Sequence, residues 1–512
     1  MSGRALISVW EKEGVEAFAR GLHDLGFELV SSGGTAAYLE EQGLPVTRVE
    51  EVTAAPEMLG GRVKTLHPRI HAGILARRDL AEDVATLAEH EIEPFDVVCV
   101  NLYPFTSVAS RIDATEAETV EMIDVGGPSM LRAAAKNFAH VAAVSSAGQY
   151  HAVLTELREG GEVSLETRRR LAGEAFQTTA AYEAAIAAWF GGAEQFPDQL
   201  TLAFSKVTDL SYGENPHQQA AYYRQLGTRR HLLSRVEQLG GKELSYNNLA
   251  DLEGARRIAR EFALPAVVIV KHANPCGVAV AGTIEEAWER ALAADPVSAF
   301  GCVAILNRDV SAALGARIAE HFAEVLLAPG YADEAVDALR AKKALRILRD
   351  YERRMETPGE LDYKRVLGGL LVQDRDSEIE ERDTMEVVTG TVSEHAWGDL
   401  LFAWRVCKHV SSNAIVVARD FQTIGIGAGQ MSRVDAVRIA VAKAREHGHD
   451  TAGAVLASDA FFPFADGPEI ALEAGITAIV QPGGSRRDDE VRAVVEAARA
   501  SMVFTGIRHF RH

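Results

Sequence analysis

One short run, Val267-Val268-Ile269-Val270, narrows the fold of this chain more than any other stretch. Four β-branched residues without polar alternation make a strand buried on both faces, which occurs where helices cover both sides of a sheet in an α/β protein. The run stops at Lys271 and His272 and enters Ala273-Asn274-Pro275-Cys276-Gly277, which is dense in turn formers. A cation and an imidazole therefore stand where a buried strand leaves the sheet, and ligands of open α/β sheets bind beyond such strand ends. Histidine titrates near neutral pH and can take a proton from a weak amine nucleophile. A neighbouring ammonium stabilises a developing oxyanion and holds the imidazole neutral. The plain reading is a polar strand end that meets solvent, since adjacent strand residues point to opposite faces. A turn directly after His272 would end that alternation and let the two side chains work together.

At 512 residues the chain exceeds one hydrophobic core and is expected to hold two to four domains. Its net charge of -20 argues against nucleic acid or an anionic membrane as partner, because phosphate neutralisation needs clustered Lys and Arg. Small anionic ligands remain compatible, since they need only local cations. The cysteines Cys99, Cys276, Cys302 and Cys407 form no C-x-x-C pair and suit no zinc module. The N-terminal stretch has no apolar signal core, and no run approaches the ~18 apolar residues of a membrane span. Together these features lead us to expect a soluble, cytoplasmic protein.

Along the chain, strands are expected at 4–9 and 27–30, and a small-residue loop, Ser31 to Thr35, enters a helix after the second. Such a helix entry offers backbone N–H groups and a dipole to an anion, though a plain cap fits the sequence equally well. Residues 56–73 place Arg62, Lys64 and Arg69 beside Gly60, Gly61, His67 and His71. A basic cluster next to glycines in so acidic a chain is suited to gripping an anion. Pro68 argues against a regular helix presenting both histidines to a metal. A buried strand ends at Asn101-Leu102-Tyr103, and Asp124 and Lys136 flank a Gly126-Gly127 helix entry. The stretch 148–193 reads as helical, and Gly191 to Pro197 mark a domain boundary near 194–203.

In the second half, polar loops carry Tyr212 and His217, and further buried strands follow Gly301 and Glu324. Gly425-Ile426-Gly427-Ala428-Gly429 is a poor dinucleotide fingerprint and reads better as a close backbone approach. Phe461, Phe462 and Phe464 form an aromatic patch beside Asp459 and Asp466, fit for a flat heteroaromatic ligand but also for core packing. Two strand-helix blocks, roughly 265–330 and 410–505, look alike and suggest a duplicated α/β unit.

The stretches GGRVKTLHPRIHAGIL, VNLYPF, IDVGGPSMLRAAAKN, YGENPHQ, VKHANPCG, GIGAGQMSR and SDAFFPF, in this order, resemble the bifunctional purine-synthesis family that joins a transformylase to inosinate cyclohydrolase. The resemblance implies an α/β fold: a methylglyoxal-synthase-like doubly wound domain at 1–200, then a transformylase domain at 201–512 made of two cytidine-deaminase-like units, about 204–390 and 391–512. It implies formyl transfer from 10-formyltetrahydrofolate to aminoimidazole carboxamide ribonucleotide (AICAR), then cyclisation of the formamide (FAICAR) to inosine monophosphate (IMP). For ring closure it implies Lys64, Tyr103, Asp124 and Lys136, with Lys136 as proton-transfer residue. The nucleotide would be held by Lys12, Ser32, Gly33, Gly34, Thr35, Arg62, Thr65, Asn101 and Gly126. For formyl transfer it implies His272 as general base and Lys271 as oxyanion or N10-proton partner. Tyr212, His217, Gly301, Glu324, Asn413, Arg433 and Arg508 would hold the nucleotide, and Phe461, Asp466 and Ser485 the folate.

The resemblance further implies a homodimer with transformylase sites at the interface and small-molecule partners only. No tightly bound cofactor is expected, no H-x-E with P-C-x-x-C calls for zinc, and a monovalent cation is left open. Ser211 stands where the family often has Arg, Trp10-Glu11 replaces a smaller pair, and Glu324 stands where some relatives have Asp. An enzyme with one activity and a nucleotide sensor without chemistry are the rival readings, and a sensor would not need Lys271, His272 or Lys136.

Overall fold

In the computed structural model, which describes residues 3–111, 113–192, 195–228, 230–351, 360–378 and 380–512, the β-branched runs and the helices between them form two units. One is Met1–Ser205 with Tyr223–Arg229, the other Lys206–Tyr222 with Arg230–His512.

The first unit is built on five parallel strands, in the order Thr47–Arg48, Glu28–Ser31, Arg4–Ser8, Val97–Val100, Ala142–Val144. Alternate residues of each strand feed opposite faces. Ala5, Ile7, Leu29 and Cys99 pack under the helices that carry Phe18 and Val153, while Leu6, Val30, Val98 and Ala143 pack under Met130, Leu131 and Ile70. Covered on both faces, this is the doubly wound domain the resemblance implies. Pro68 begins the helix Pro68–Leu75, whose first turn needs no N–H from it, and His67 stays outside as the N-cap, so the helix does not carry both histidines. One expectation is corrected here. The single helical stretch at 148–193 is two helices, Tyr150–Gly160 and Leu165–Gly191, broken where Gly161 takes a left-handed φ of 75°.

The second unit is organised by one mixed sheet of twelve strands. From one side to the other they are Glu386–Thr389, Ser501–Phe504, Ala478–Gln481, Val455–Ser458, Ile415–Arg419, Gln422–Gly427, Asn274–Val280, Ala266–Lys271, Cys302–Leu306, Ala323–Ala328, Arg346–Arg349 and Glu237–Gly240. The order is a mirrored repeat about the antiparallel pairing Ala279 with Gln422. On each side come a tight hairpin, an antiparallel neighbour, two further strands parallel to that neighbour, and an antiparallel edge strand. One face of the sheet is a single core drawn from both copies, including Leu252, Val268, Val270, Trp404, Val416 and Val455. The other face divides, with Ile269 and Trp288 in one core and Val417 and Val437 in the other.

The repeat extends to single residues. In the first copy Gly277 follows Asp251 by 26 residues, and in the second Gly425 follows Asp399 by 26. Each glycine lies under a helix backbone: a Cβ on Gly277 would stand 2.0 Å from the Ala291 carbonyl oxygen, and one on Gly425 2.0 Å from that of Ala440. The GIGAG stretch is thus a close backbone approach. We expect Gly425→Ala to cost ~1–3 kcal/mol or more through overpacking, read as a lowered midpoint of thermal unfolding, with an unchanged midpoint contradicting the packing account.

The run Val267 to Val270 is the buried strand expected, but its exit differs. The strand Ala266–Lys271 is antiparallel to both neighbours. Asn274, Pro275, Cys276 and Gly277 belong to the next strand and pair back against it, with a bulge between Pro275 and Gly277. The whole turn is His272-Ala273, both left-handed, with φ of 53° and 60°. Sheet pairing has overridden the turn chemistry of Asn-Pro-Cys-Gly. Among the described residues no helix is long and apolar enough to cross a membrane.

Candidate functional site

In the first unit the candidate residues converge on the helix Gly33–Glu41, which starts directly after a central strand. Its N-cap, Ser32, makes no side-chain bond to the helix, so the first N–H groups remain open to a ligand. Thr35 Oγ1 is held at 2.8 Å from the Val9 carbonyl it donates to and 3.0 Å from Lys12 Nζ. Burial lowers the pKa of Lys12. Lys64 reaches over the same helix entry: a Cβ on Gly33 would lie 2.8 Å from its Nζ, and Glu57 holds that ammonium at 3.0 Å. Asn101 fixes the first loop, accepting the Glu11 N–H at 3.2 Å and donating to the Glu11 carbonyl at 3.0 Å.

Asp124 accepts the Gly127 N–H at 2.8 Å at the next helix entry, Gly126–Lys136. Burial raises its pKa, against the bonds from the Gly127 and Tyr103 N–H groups. Burial also raises that of Tyr103, and the Asp124 carboxylate adds to it while Lys64 opposes it. Tyr103, Asp124 and Lys64 therefore share one electrostatic neighbourhood. Thr65 Oγ1 lies 2.9 Å from where a Gly126 Cβ would be, so this glycine is required by close approach. Tyr182, which the sequence did not single out, accepts the Asp124 N–H at 2.8 Å and donates to the Met122 carbonyl at 2.6 Å.

Two expected members are not brought into this group. Arg62 points to Glu121 in an exposed ion pair. Lys136 occupies the last turn of the helix that Gly126 opens. Ten residues separate them, ~15 Å of helix at 1.5 Å per residue. Lys136 instead lines a separate cavity of about 750 Å³ with His71, Arg132, Arg169 and Phe176. Its place beside Asp124 on paper becomes the opposite end of a helix in space. His67 also has an ordinary role, capping its helix by accepting the Arg69 N–H at 3.2 Å.

In the second unit the strand directions gather the candidates on one edge of the sheet. The strands leading to His272, Arg433, Phe461, Ser485 and Arg508 run toward this edge; those after Gly301 and Asn413, and the one bearing Glu324, start from it. At its centre Lys271 Nζ donates to the carbonyls of Phe300 at 3.0 Å and Gly301 at 2.8 Å, which leaves one ammonium proton for a ligand. Gly301 is left-handed, and a Cβ there would crowd Lys271 Nζ at 3.0 Å. Glu324 accepts from Asn248 Nδ2 at 2.9 Å. Tyr212 lies against the start of the helix Tyr246–Arg260, its carbonyl accepting the Tyr246 N–H at 3.2 Å, and His217 remains exposed in the same loop.

Arg433, expected to hold the nucleotide, has its guanidinium engaged within the protein. It is buried, donates to Ser458 Oγ at 2.8 Å and Asn413 Oδ1 at 2.7 Å, and pairs with the fully buried Asp459. Its charge is consumed inside the protein, where it fixes Asn413. Arg508 is exposed, stacks on Phe510 at 4.6 Å, and has no carboxylate partner among the described residues. The segment around it is anchored by His509, whose imidazole sits between Asp376 at 2.6 Å and Glu380 at 2.9 Å. Burial lowers the pKa of His509, but the two carboxylates outweigh it and lift it to about 9.

Phe461 is partly exposed, Asp466 opens the helix Asp466–Glu473, and Ser485 Oγ accepts the Arg487 N–H at 3.2 Å. These three follow the adjacent strands Val455–Ser458 and Ala478–Gln481. Within one chain these two strands lie four and five strand spacings, ~19 and ~24 Å, from the strand that ends in Lys271. His395, Asp399 and Asp420 come within 4.8 Å of one another, but at the opposite edge of the sheet, where Asp399 already accepts two backbone N–H groups.

Fold and sites together define a two-centre α/β protein, each centre bringing cations beside groups that can move a proton. Residues 14–129 match the MGS-like domain family, and residues 134–443 match the AICARFT/IMPCHase bienzyme family. The chain is 48% identical over its whole length to the whole of the bifunctional purine biosynthesis protein PurH of Anoxybacillus flavithermus, and equally to that of Halalkalibacterium halodurans. With the protein of that name from Listeria monocytogenes it shares 49% identity over 99% of this chain and all of the relative. The chain belongs to the AICARFT/IMPCHase bienzyme family.

Proposed function

We propose that this chain carries out the last two steps of purine nucleotide synthesis, formyl transfer to AICAR and closure of FAICAR to IMP. We assign closure to residues 1–200, and transfer to 201–512 with its halves 204–390 and 391–512. The observation that carries the reading is the single sheet edge on which Lys271 ends its strand and His272 opens the tight turn that follows, flanked by Gly301, Glu324 and Asn413.

In transfer, 10-formyltetrahydrofolate acts as co-substrate. The 5-amino nitrogen of AICAR attacks the formyl carbon while His272 takes its proton, and the free Lys271 proton stabilises the oxyanion. As the oxyanion collapses, the bond from the formyl carbon to N10 breaks, and N10 takes up the proton that His272 removed and leaves as tetrahydrofolate. In closure, the carboxamide nitrogen attacks the formyl carbon, and the former formyl oxygen leaves as water. Lys64 stabilises charge on that oxygen, and Asp124 with Tyr103 orients the amide.

Separation of the folate-side residues from His272 supports a homodimer in which one copy faces its folate side to the other copy's His272. The same logic applies to Lys136: a role in closure requires another copy to supply it. Hybrid pairs of Lys64→Ala and Lys136→Ala chains, separately tagged and co-purified, are then expected to regain closure that each variant lacks alone. Hybrids as inactive as the parents would remove Lys136 from this role. The ligands are small molecules, without nucleic acid or membrane, and a cytoplasmic setting fits them.

A further inference from the structure

We infer that Asp251 is a positioning residue for formyl transfer, holding the His272-Ala273 turn in the left-handed conformation that presents Lys271 and His272 to the substrate. The inference rests on the reading of the His272 site given above. A two-residue hairpin with both φ positive favours Asn-Gly or Gly-Gly, and His-Ala has no such preference. Something outside the turn must hold it. From the helix Tyr246–Arg260, Asp251 Oδ1 accepts the Ala273 N–H at 2.5 Å, and the His272 N–H is directed at the same carboxylate. On the other side Arg511 donates to the Ala273 carbonyl at 3.2 Å, and Asn274 Nδ2 donates to that of His272 at 3.2 Å.

The duplicated copy supplies an internal comparison. There Asp399 accepts the N–H groups of Asp420 at 2.9 Å and Phe421 at 2.8 Å, two residues with φ of 54° and 57°. Asp420 follows Asp399 by 21 residues, as His272 follows Asp251. A helix-borne carboxylate under a left-handed hairpin is therefore a device the fold uses twice. The second turn lies at the opposite edge of the sheet and carries none of the transfer residues. Only the first copy turns the device to chemistry.

The test compares Asp251→Ala, Asp251→Asn, Asp399→Ala and the double variant Asp251→Ala/Ala273→Gly. Formyl transfer is measured from AICAR and 10-formyltetrahydrofolate, and closure from supplied FAICAR on the same preparations. Asp251→Ala is expected to lower the kcat of transfer ~tenfold to hundredfold, the range set by losing hold of strained backbone. KM for AICAR and the closure rate should stay near wild type. Asp251→Asn keeps an oxygen acceptor and should retain most of kcat. In the double variant, glycine takes the left-handed conformation without help and should recover part of the loss. Asp399→Ala should lower the unfolding midpoint yet keep transfer.

The inference is overturned if folded Asp251→Ala transfers at the wild-type rate, if Asp399→Ala loses as much kcat, or if Ala273→Gly restores nothing. Should Asp251→Ala alone not fold, the double variant decides: folded and active supports the inference, folded and inactive overturns it. Transfer surviving in His272→Ala would instead sink the reading of the site itself.

Discussion

Alanine at position 272 is expected to abolish formyl transfer while FAICAR still closes to IMP at the wild-type rate. The amine of AICAR is a poor nucleophile, and a positioned base contributes ~10²–10⁴ to such a step. His272 lies at the tip of a turn anchored from both sides, so its side chain can be removed without disturbing the strand beneath. The neighbouring Lys271 cannot replace it, because two of its three protons are committed to the Phe300 and Gly301 carbonyls and it must stay charged to serve the oxyanion. Lys64, Tyr103 and Asp124, to which closure is assigned in the proposal above, all lie outside the unit that holds His272. Product-resolved assays from AICAR and from supplied FAICAR check both halves of the expectation. Loss of both activities in a folded variant would contradict two separate centres.

The complementary change, Lys64→Ala, is expected to cut ring closure ~10²–10³-fold, the cost of losing one preorganised donor at a developing oxyanion, and to leave formyl transfer intact. The Lys64 ammonium stands over the open N–H groups of Gly33–Glu41 and beside Tyr103 and Asp124, with Glu57 as its holding partner. Its removal leaves Glu57 as an uncompensated charge facing an anionic ligand, so binding should weaken along with the chemical step. In an assay from AICAR the variant should accumulate FAICAR. Undiminished closure would shift the burden to Lys12 and Tyr103.

Much of this was legible in the residues. The β-branched run at 267–270 announced a doubly buried strand, and Gly425 and Gly427 announced close packing rather than a dinucleotide. What the chain did not disclose were consequences of contacts far away in sequence. Asn274 to Gly277 are turn formers by composition, yet pairing with 266–271 makes them strand and confines the turn to two residues. Asp124 and Lys136 flank one glycine pair on paper, but a straight helix between them converts twelve positions into distance. The sequence does not show that Arg433 is neutralised by Asp459, which follows another strand. Asp251 had a detectable signal, its spacing to the reactive pair recurring at Asp399, once the two alike blocks are set side by side.

If the two centres work independently, each can be supplied by a different chain. Purified Lys64→Ala chain supplied with AICAR and 10-formyltetrahydrofolate should build up FAICAR and make almost no IMP, and adding purified His272→Ala chain should then convert the accumulated FAICAR to IMP. A mixture that leaves the FAICAR untouched, although both variants remain folded, would contradict the account.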